Sequence, residues 1–271
     1  MAELSVNPAA DFSFGRIFAD AGRVLARGWP VLVVGVLVLG VAPRVAIGLP
    51  WWRADVVTPE TQRIALEVTV LKAAISLVFS SAMSAFVAAV SLKVLQGGDW
   101  RGTLAPAPLA LGAATALCVS LLLSWPSLIT PLLGRRFWPP AVTALAFSVV
   151  FLELVLLPFL GVATMAAVAE RRFVPSAFAR SIRLLRGLRW RVAALTLGFA
   201  AVLIVAQSLV QIGLAIAGLP LSRGPGWGRV VLTLPGVVVG TLAGVTFASV
   251  FVQSRRRADG PTETELVEVF G

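Results

Sequence analysis

Histidine and tyrosine are missing from this chain altogether, and cysteine occurs once. Without histidine the commonest general base and the commonest transition-metal ligand are both gone. The one cysteine, Cys118, lies inside an apolar run. It allows neither an intrachain disulfide nor a cysteine metal cluster. Without tyrosine, anchoring at a membrane–water boundary falls to the eight tryptophans. Charge is scarce as well: 13% of the 271 residues are charged, where soluble domains carry about 25%. No glycine-rich phosphate loop, nucleophile elbow, zinc signature or dinucleotide fingerprint appears. Gly97-Gly98 and Gly224-Pro225-Gly226 are turn chemistry. A membrane-embedded enzyme therefore ranks last among the function classes, and neither a catalytic residue, a metal site nor a cofactor is expected.

What remains is apolar. The chain is 58% hydrophobic, with a mean hydropathy of +0.91. A soluble fold has no place to hide that much apolar surface, whereas a bilayer is itself apolar solvent. The expected fold class is all-α: a polytopic integral membrane protein with about six transmembrane helices and two amphipathic interfacial helices. Residues 1–10 read as a short N-terminal tail. Residues 11–28 read as an interfacial helix, with Phe14, Ile17, Phe18, Ala21, Val24 and Leu25 on its apolar face and Arg16, Asp20, Arg23 and Arg27 elsewhere. Spans follow at about 29–50, 68–95, 106–133, 141–169, 190–219 and 230–253, each long enough for a hydrocarbon core ~30 Å thick. A basic interfacial helix occupies 175–189, and 254–271 form a tail whose last stretch is acidic. The first 28 residues read as lacking a cleavable signal, since acids and bases precede an apolar run that begins late. Arg44 interrupts the first span, so it must snorkel to the far surface or face protein. Otherwise that segment is a re-entrant hairpin.

The charges orient these spans. With the N-terminus inside, the inner segments hold Arg16, Arg23 and Arg27, then Lys93 and Arg101, then seven arginines from Arg171 to Arg191, then Arg255, Arg256 and Arg257. That is fifteen of the 23 bases, with eight left outside. The excess places both termini in the cytoplasm of a bacterial-type inner membrane. The net charge of +10 sits in short segments flanking apolar runs. The implied partner is the headgroup layer of anionic lipids on the cytoplasmic side, not nucleic acid.

Three sets of residues stand out. Glu153 is the acid deep within a span, with Gln207 and Gln211 as candidate partners one helical turn apart. It reads either as an ion or proton site or as a hydrogen-bonded carboxyl joining helices. Arg180, Arg183, Arg186 and Arg189 form the candidate lipid-headgroup contact on a helix whose other side carries Phe178, Ile182, Leu185 and Leu188. Small residues at four-residue spacing, Gly236, Gly240 and Gly244 in the sixth span and Ser76, Ser80 and Ser84 in the second, read as helix-packing stripes.

Two segments echo each other: Phe18-Ala19 … Arg23-Val24-Leu25 … Trp29 and Phe178-Ala179 … Arg183-Leu184-Leu185 … Trp190, the tryptophans one residue out of step. The echo reads either as an internal duplication or as the common form of a basic helix entering a span. The stretch from Ala169-Glu170-Arg171-Arg172 through Ser181-Ile182-Arg183-Leu184-Leu185-Arg186-Gly187 to Trp190-Arg191 resembles a signature in a loose group of bacterial six-helix membrane proteins. That group is related to the membrane domain attached to some glycerophosphoryl diester phosphodiesterases. The resemblance implies the six-helix architecture. It does not imply the phosphodiesterase activity, which belongs to a separate soluble domain built on histidines and acids. The function expected is a non-enzymatic scaffold or accessory component of the envelope. The alternative is a small transporter or lipid-handling protein with a polar intramembrane site around Glu153.

Overall fold

The computed structural model describes residues 12–48, 59–98, 105–134, 156–218 and 227–259, and all regular structure among them is helical. The elements are α1 (Phe14–Gly35), a π-helical turn (Val36–Val41), α2 (Ala42–Gly48), α3 (Pro59–Leu95), α4 (Pro106–Gly134), α5 (Leu156–Glu170), α6 (Val174–Leu184), α7 (Arg189–Ile216) and α8 (Trp227–Asp259). Among the described residues four stretches are long and apolar enough to cross a membrane: Phe14–Ala46, Leu71–Leu95, Arg189–Ile216 and Val231–Asp259. The described residues are thus all-helical, with helices of a length and apolarity compatible with a multi-pass membrane protein. In a bilayer every backbone polar group must be satisfied within its own segment, which is why long helices are the answer to this composition.

The first 33-residue stretch, Phe14–Ala46, would measure about 50 Å at 1.5 Å per residue. That exceeds a ~30 Å hydrocarbon core. The expected boundary between an interfacial helix ending at residue 28 and a span beginning at 29 is not present as a break. The helix runs through Gly28, Trp29 and Pro30. Gly28 lies against α3, where a Cβ would meet Val90 at 3.4 Å and Val94 at 3.8 Å, so the helix packs closely on α3 at the expected boundary. The buried face also differs: Ile17, Asp20, Ala21, Val24 and Gly28 point inward, while Phe14 and Phe18 are 40% and 56% exposed. The aromatic rings are left for the surroundings because the close approach to α3 and α8 favours the smaller side chains.

Near its far end this helix widens. The Ala42 N–H donates to the Leu37 carbonyl, five residues back. Pro43 follows directly, and a proline has no N–H to give and crowds the carbonyl four residues behind it. One π-turn absorbs that mismatch without ending the helix. Helix continues to Gly48, with no hairpin among the described residues of this segment. Arg44 faces protein. Its Nη1 donates to the Gly40 carbonyl at 2.7 Å and its Nη2 to Ser80 Oγ at 3.2 Å.

Direction is set by a few close approaches. Gly28 meets Val90 and Gly35 meets Phe86, so α1 and α3 are antiparallel. Gly161 meets Phe247 and Glu170 reaches Arg255, so α5 and α8 are parallel. One core joins α1, α3 and α8 through Val24, Leu32, Met83, Val87, Val90, Val237 and Val245. A second joins α3, α5, α6, the start of α7 and α8 through Ala88, Val162, Ala166, Ala177, Leu185, Leu188, Val192, Val250 and Phe251. Much of the second core is alanine. Lipid tails are as apolar as leucine, so helices in a bilayer gain by close backbone approach more than by hiding bulk.

The two echoing segments take different forms. The first is unbroken helix, whereas α6 stops at Leu184, before the expected 189. A turn over 185–188 with Gly187 at φ 85° then leads into α7. Only glycine adopts that backbone at little cost. The extra residue between the second arginine and tryptophan of the echo is what the turn uses. At the other end of the chain α8 continues to Asp259, so the first residues expected in the tail, 254–259, extend the helix.

Candidate functional site

The charged residues gather where α5 ends, α6 lies and α8 ends. Helix α5 stops at Glu170, and Arg171 takes a left-handed backbone (φ 50°) to redirect the chain. Phe173 is extended and Pro175 stands in the first turn of α6, where its missing N–H costs nothing. The Glu170 carboxylate accepts from Arg172 Nε at 2.6 Å. It also accepts from Arg180 Nε, at 3.1 Å to Oε1 and 3.2 Å to Oε2. Arg255 Nε stands 4.0 Å away. Arg180 in turn donates through Nη2 to Asp259, which also pairs with Arg255 at 3.8 Å. Two carboxylates and three guanidiniums thus bind α5, α6 and α8 into one clasp.

Glu170 and Arg180 form its dry centre, with side chains 10% and 14% exposed. Arg172, Arg255 and Asp259 form its wetter rim. The Arg180 guanidinium is held above the ordinary arginine pKa, chiefly by its bond to Asp259, with burial opposing and Glu170 adding to it. It carries its charge at every physiological pH. Rim pairs of this exposure contribute little individually, but a charge buried at the centre is costly to leave alone.

The four arginines expected to touch headgroups separate into distinct roles. Arg180 is consumed by the clasp. Arg183 and Arg186 are exposed. Arg189 is exposed too, with its guanidinium 6.0 Å from the centroid of the Phe159 ring. Arg186, Gly187, Arg189 and the 88%-exposed Trp190 line an open cleft of about 420 Å³. A Cβ on Gly187 would lie 3.8 Å from Arg257 Nη2, which brings a further cation to that cleft. Helix α6 packs through Ala177, Ser181 and Leu184 and leaves Ile182 48% exposed. Its inward face is rotated from the one expected, because small side chains let it sit close against the core.

Of the expected intramembrane set, Glu153 lies outside the described residues, and Gln207 and Gln211 are exposed on α7. The two small-residue stripes are only partly engaged. Gly244 fits against Val87, where a Cβ would come within 2.9 Å, but Gly236 and Gly240 meet nothing within 4 Å among the described residues. Ser80 receives Arg44. Ser84 is exposed and donates to the Ser80 carbonyl of its own helix at 3.0 Å, and Ser76 is half-buried.

Buried hydroxyls mostly bond backward along their own helix, as Thr115 does to Leu111 and Thr196 to Val192. Ser91, Gln253 and Ser254 are buried with no hydrogen-bond partner among the described residues. Among the described residues no three His, Cys, Asp or Glu side chains gather as a metal site. The residues that sequence reasoning missed are Glu170, Arg255 and Asp259. The four-residue step from Arg255 to Asp259 on one helix face was the available signal.

No family model matches this chain, and neither a curated protein nor a solved structure matches it.

Proposed function

We propose that this chain is a bacterial inner-membrane protein with six crossings and both termini in the cytoplasm, serving as a non-enzymatic scaffold or accessory component of the envelope. The observation that carries this reading is the clasp. The densest polar chemistry among the described residues is Glu170, Arg180, Arg255 and Asp259 binding one another. It is thereby spent on holding three helices together. The surplus cations Arg183, Arg186 and Arg189 face outward from the same end, which suits a cytoplasmic surface over anionic lipid. Helix α4 and helix α5 supply the two further crossings in this reading, α4 with 29 residues and α5 with its apolar Leu156–Glu170 stretch. Kinship to the membrane domains attached to glycerophosphoryl diester phosphodiesterases belongs to the same proposal. It rests on the stretch from Ala169 to Arg191.

The test is extraction of the full chain into polymer-bounded native membrane discs, without detergent. A protein partner retained in fixed ratio is the expected result. A disc that carries no other protein, together with solute flux through the purified chain that a Glu153→Gln substitution abolishes, would replace the scaffold by the transport reading. Reporter fusions after Gly98 and after Asp259 check orientation, and both are expected on the cytoplasmic side.

A further inference from the structure

Side chains of α1 and α7 line an open groove of about 390 Å³. Phe14 and Phe18 line it from α1, and Leu195, Gly198, Phe199 and Val202 line it from α7. Nothing polar on those side chains faces a ligand. Helical spacing places Arg191, Leu195, Gly198 and Val202 on one stripe, at steps of four, three and four residues. Arg191 therefore stands at the head of the groove. Its Nη1 donates to the Phe12 carbonyl at 3.4 Å, which fixes the guanidinium between the start of α1 and the start of α7. Arg191 is exposed, and among the described residues no carboxylate pairs with it.

We propose that this groove holds one anionic phospholipid, with its phosphate on Arg191 and one acyl chain against Gly198 and Val202. The proposal rests on the reading that α1 and α7 cross a bilayer. The dimensions agree with that occupant. From Arg191 to Val202 the helix rises about 16 Å, close to one leaflet of a ~30 Å hydrocarbon core. The cation lies at the end where the bases concentrate, at headgroup height, and the groove below it is wholly apolar. A soluble anion would be served by the arginine alone and would have no use for the groove. A partner helix would need the groove but not a cation at its head. Only a molecule with a charged end and a long apolar tail uses both. The site is separate from the clasp, whose arginines are already paired.

Gly198 provides a clean probe. A Cβ there meets nothing within 4 Å among the described residues, and its backbone is ordinary helix, so the side chain of Gly198→Phe enters the groove from its wall. Arg191→Gln removes the charge and keeps most of the bulk. The full chain is purified in mild detergent and offered phosphatidylglycerol and phosphatidylethanolamine in equal amounts. Native mass spectrometry then counts the lipids that remain bound. Wild type is expected to retain one phosphatidylglycerol in preference to phosphatidylethanolamine. Arg191→Gln is expected to lower that preference about fivefold, from the ~1 kcal/mol a base at the surface contributes. Gly198→Phe is expected to remove the retained lipid of either kind. The proposal is overturned if lipid count and preference are the same in all three proteins, or if wild type retains none. It is also overturned if Gly198→Phe splits a dimer while the lipid count stays constant, since the groove would then belong to a second copy. Carbonate extraction of the same variants separates this failure from failure of the membrane reading. A protein that stays in the membrane with unchanged lipid counts refutes the groove alone.

Discussion

Arg180 of α6 donates to Asp259, the last residue of α8, across 79 positions of sequence. The same guanidinium holds Glu170 at the end of α5. One side chain therefore closes the bundle at this end. Helix α6 is short, with 11 residues. A helix of that length is marginal on its own in water, so it depends on this bond and on Ala177, Ser181 and Leu184 for its place.

Removing the guanidinium is expected to cost more than removing either rim partner. Arg180→Ala leaves Glu170 buried with Arg172 as its remaining close donor, and a loss of about 2–3 kcal/mol is expected. Asp259→Asn, at a 39%-exposed position, is expected to cost under about 1 kcal/mol. Arg180→Lys falls between them, because a lysine offers no planar fork for two carboxylates. Thermal unfolding in detergent, followed by size-exclusion recovery, ranks the three. An equal loss for Arg180→Ala and Asp259→Asn would mean that the buried centre carries no special weight.

Much of the helix pattern was legible from hydropathy, because an apolar run of twenty residues leaves little choice of structure. The clasp was not, because it joins residues that hydropathy treats as separate loop and tail charges. Asp20 shows the limit of periodicity. On a wheel it belongs with Arg16 and Arg23, yet it is 7% exposed, paired with Arg23 at 3.5 Å, because α1 is rotated toward its small residues. Ile182 is the converse, an apolar residue turned outward while Ser181 is buried. Where a bilayer supplies apolar solvent on the outside, periodicity marks which side is polar. It does not mark which apolar side meets protein.

The glycines divide by what stands over them. A methyl on Gly112 would overlap Val168 and lie 3.1 Å from Ala85 Cβ, and one on Gly244 would lie 2.9 Å from Val87 Cγ1. Gly112→Ala and Gly244→Ala are expected to cost about 1–3 kcal/mol through overpacking. Gly236→Ala and Gly240→Ala meet nothing within 4 Å among the described residues and are expected to be neutral or to gain up to about 1 kcal/mol of helix stability. Midpoints of thermal unfolding for the four variants decide this. Losses at Gly236 and Gly240 equal to that at Gly244 would show that the whole stripe is an interface.

Gly40 and Arg44 form a second tight point. A methyl on Gly40 would lie 2.8 Å from Met83 Sδ and 2.9 Å from Val237 Cγ1. Methionine yields easily, but a β-branched valine has little rotamer freedom. Gly40→Ala is therefore expected to loosen the π-helical turn from α8. Arg44→Met keeps the stem and removes two donors, leaving Ser80 Oγ without its donor from α2. A loss of about 1 kcal/mol is expected. Thermal unfolding midpoints of Arg44→Met, Ser80→Ala and the double variant check the link, since the two losses should not add if the bond holds α2 to α3. Fully additive losses would assign Arg44 to its own helix alone.

Gln253 sits on α8 two residues before Arg255, with 6% of its surface exposed, and neither its Oε1 nor its Nε2 has a partner among the described residues. A buried amide without partners costs about 1–3 kcal/mol, while an apolar group of the same shape costs nothing of the kind. Gln253→Met keeps the length and removes both polar atoms. It is expected to leave the unfolding midpoint unchanged or to raise it. Ser254→Ala, at a neighbouring buried position with an unpaired hydroxyl, is expected to behave alike. If Gln253→Met instead lowers stability by more than about 1 kcal/mol, the amide has a partner in the folded protein, because only a bond that is made can be lost. The serine variant then tells whether that partner is shared. A parallel loss in Ser254→Ala points to one polar network at the end of α8, and a neutral result confines the bond to Gln253.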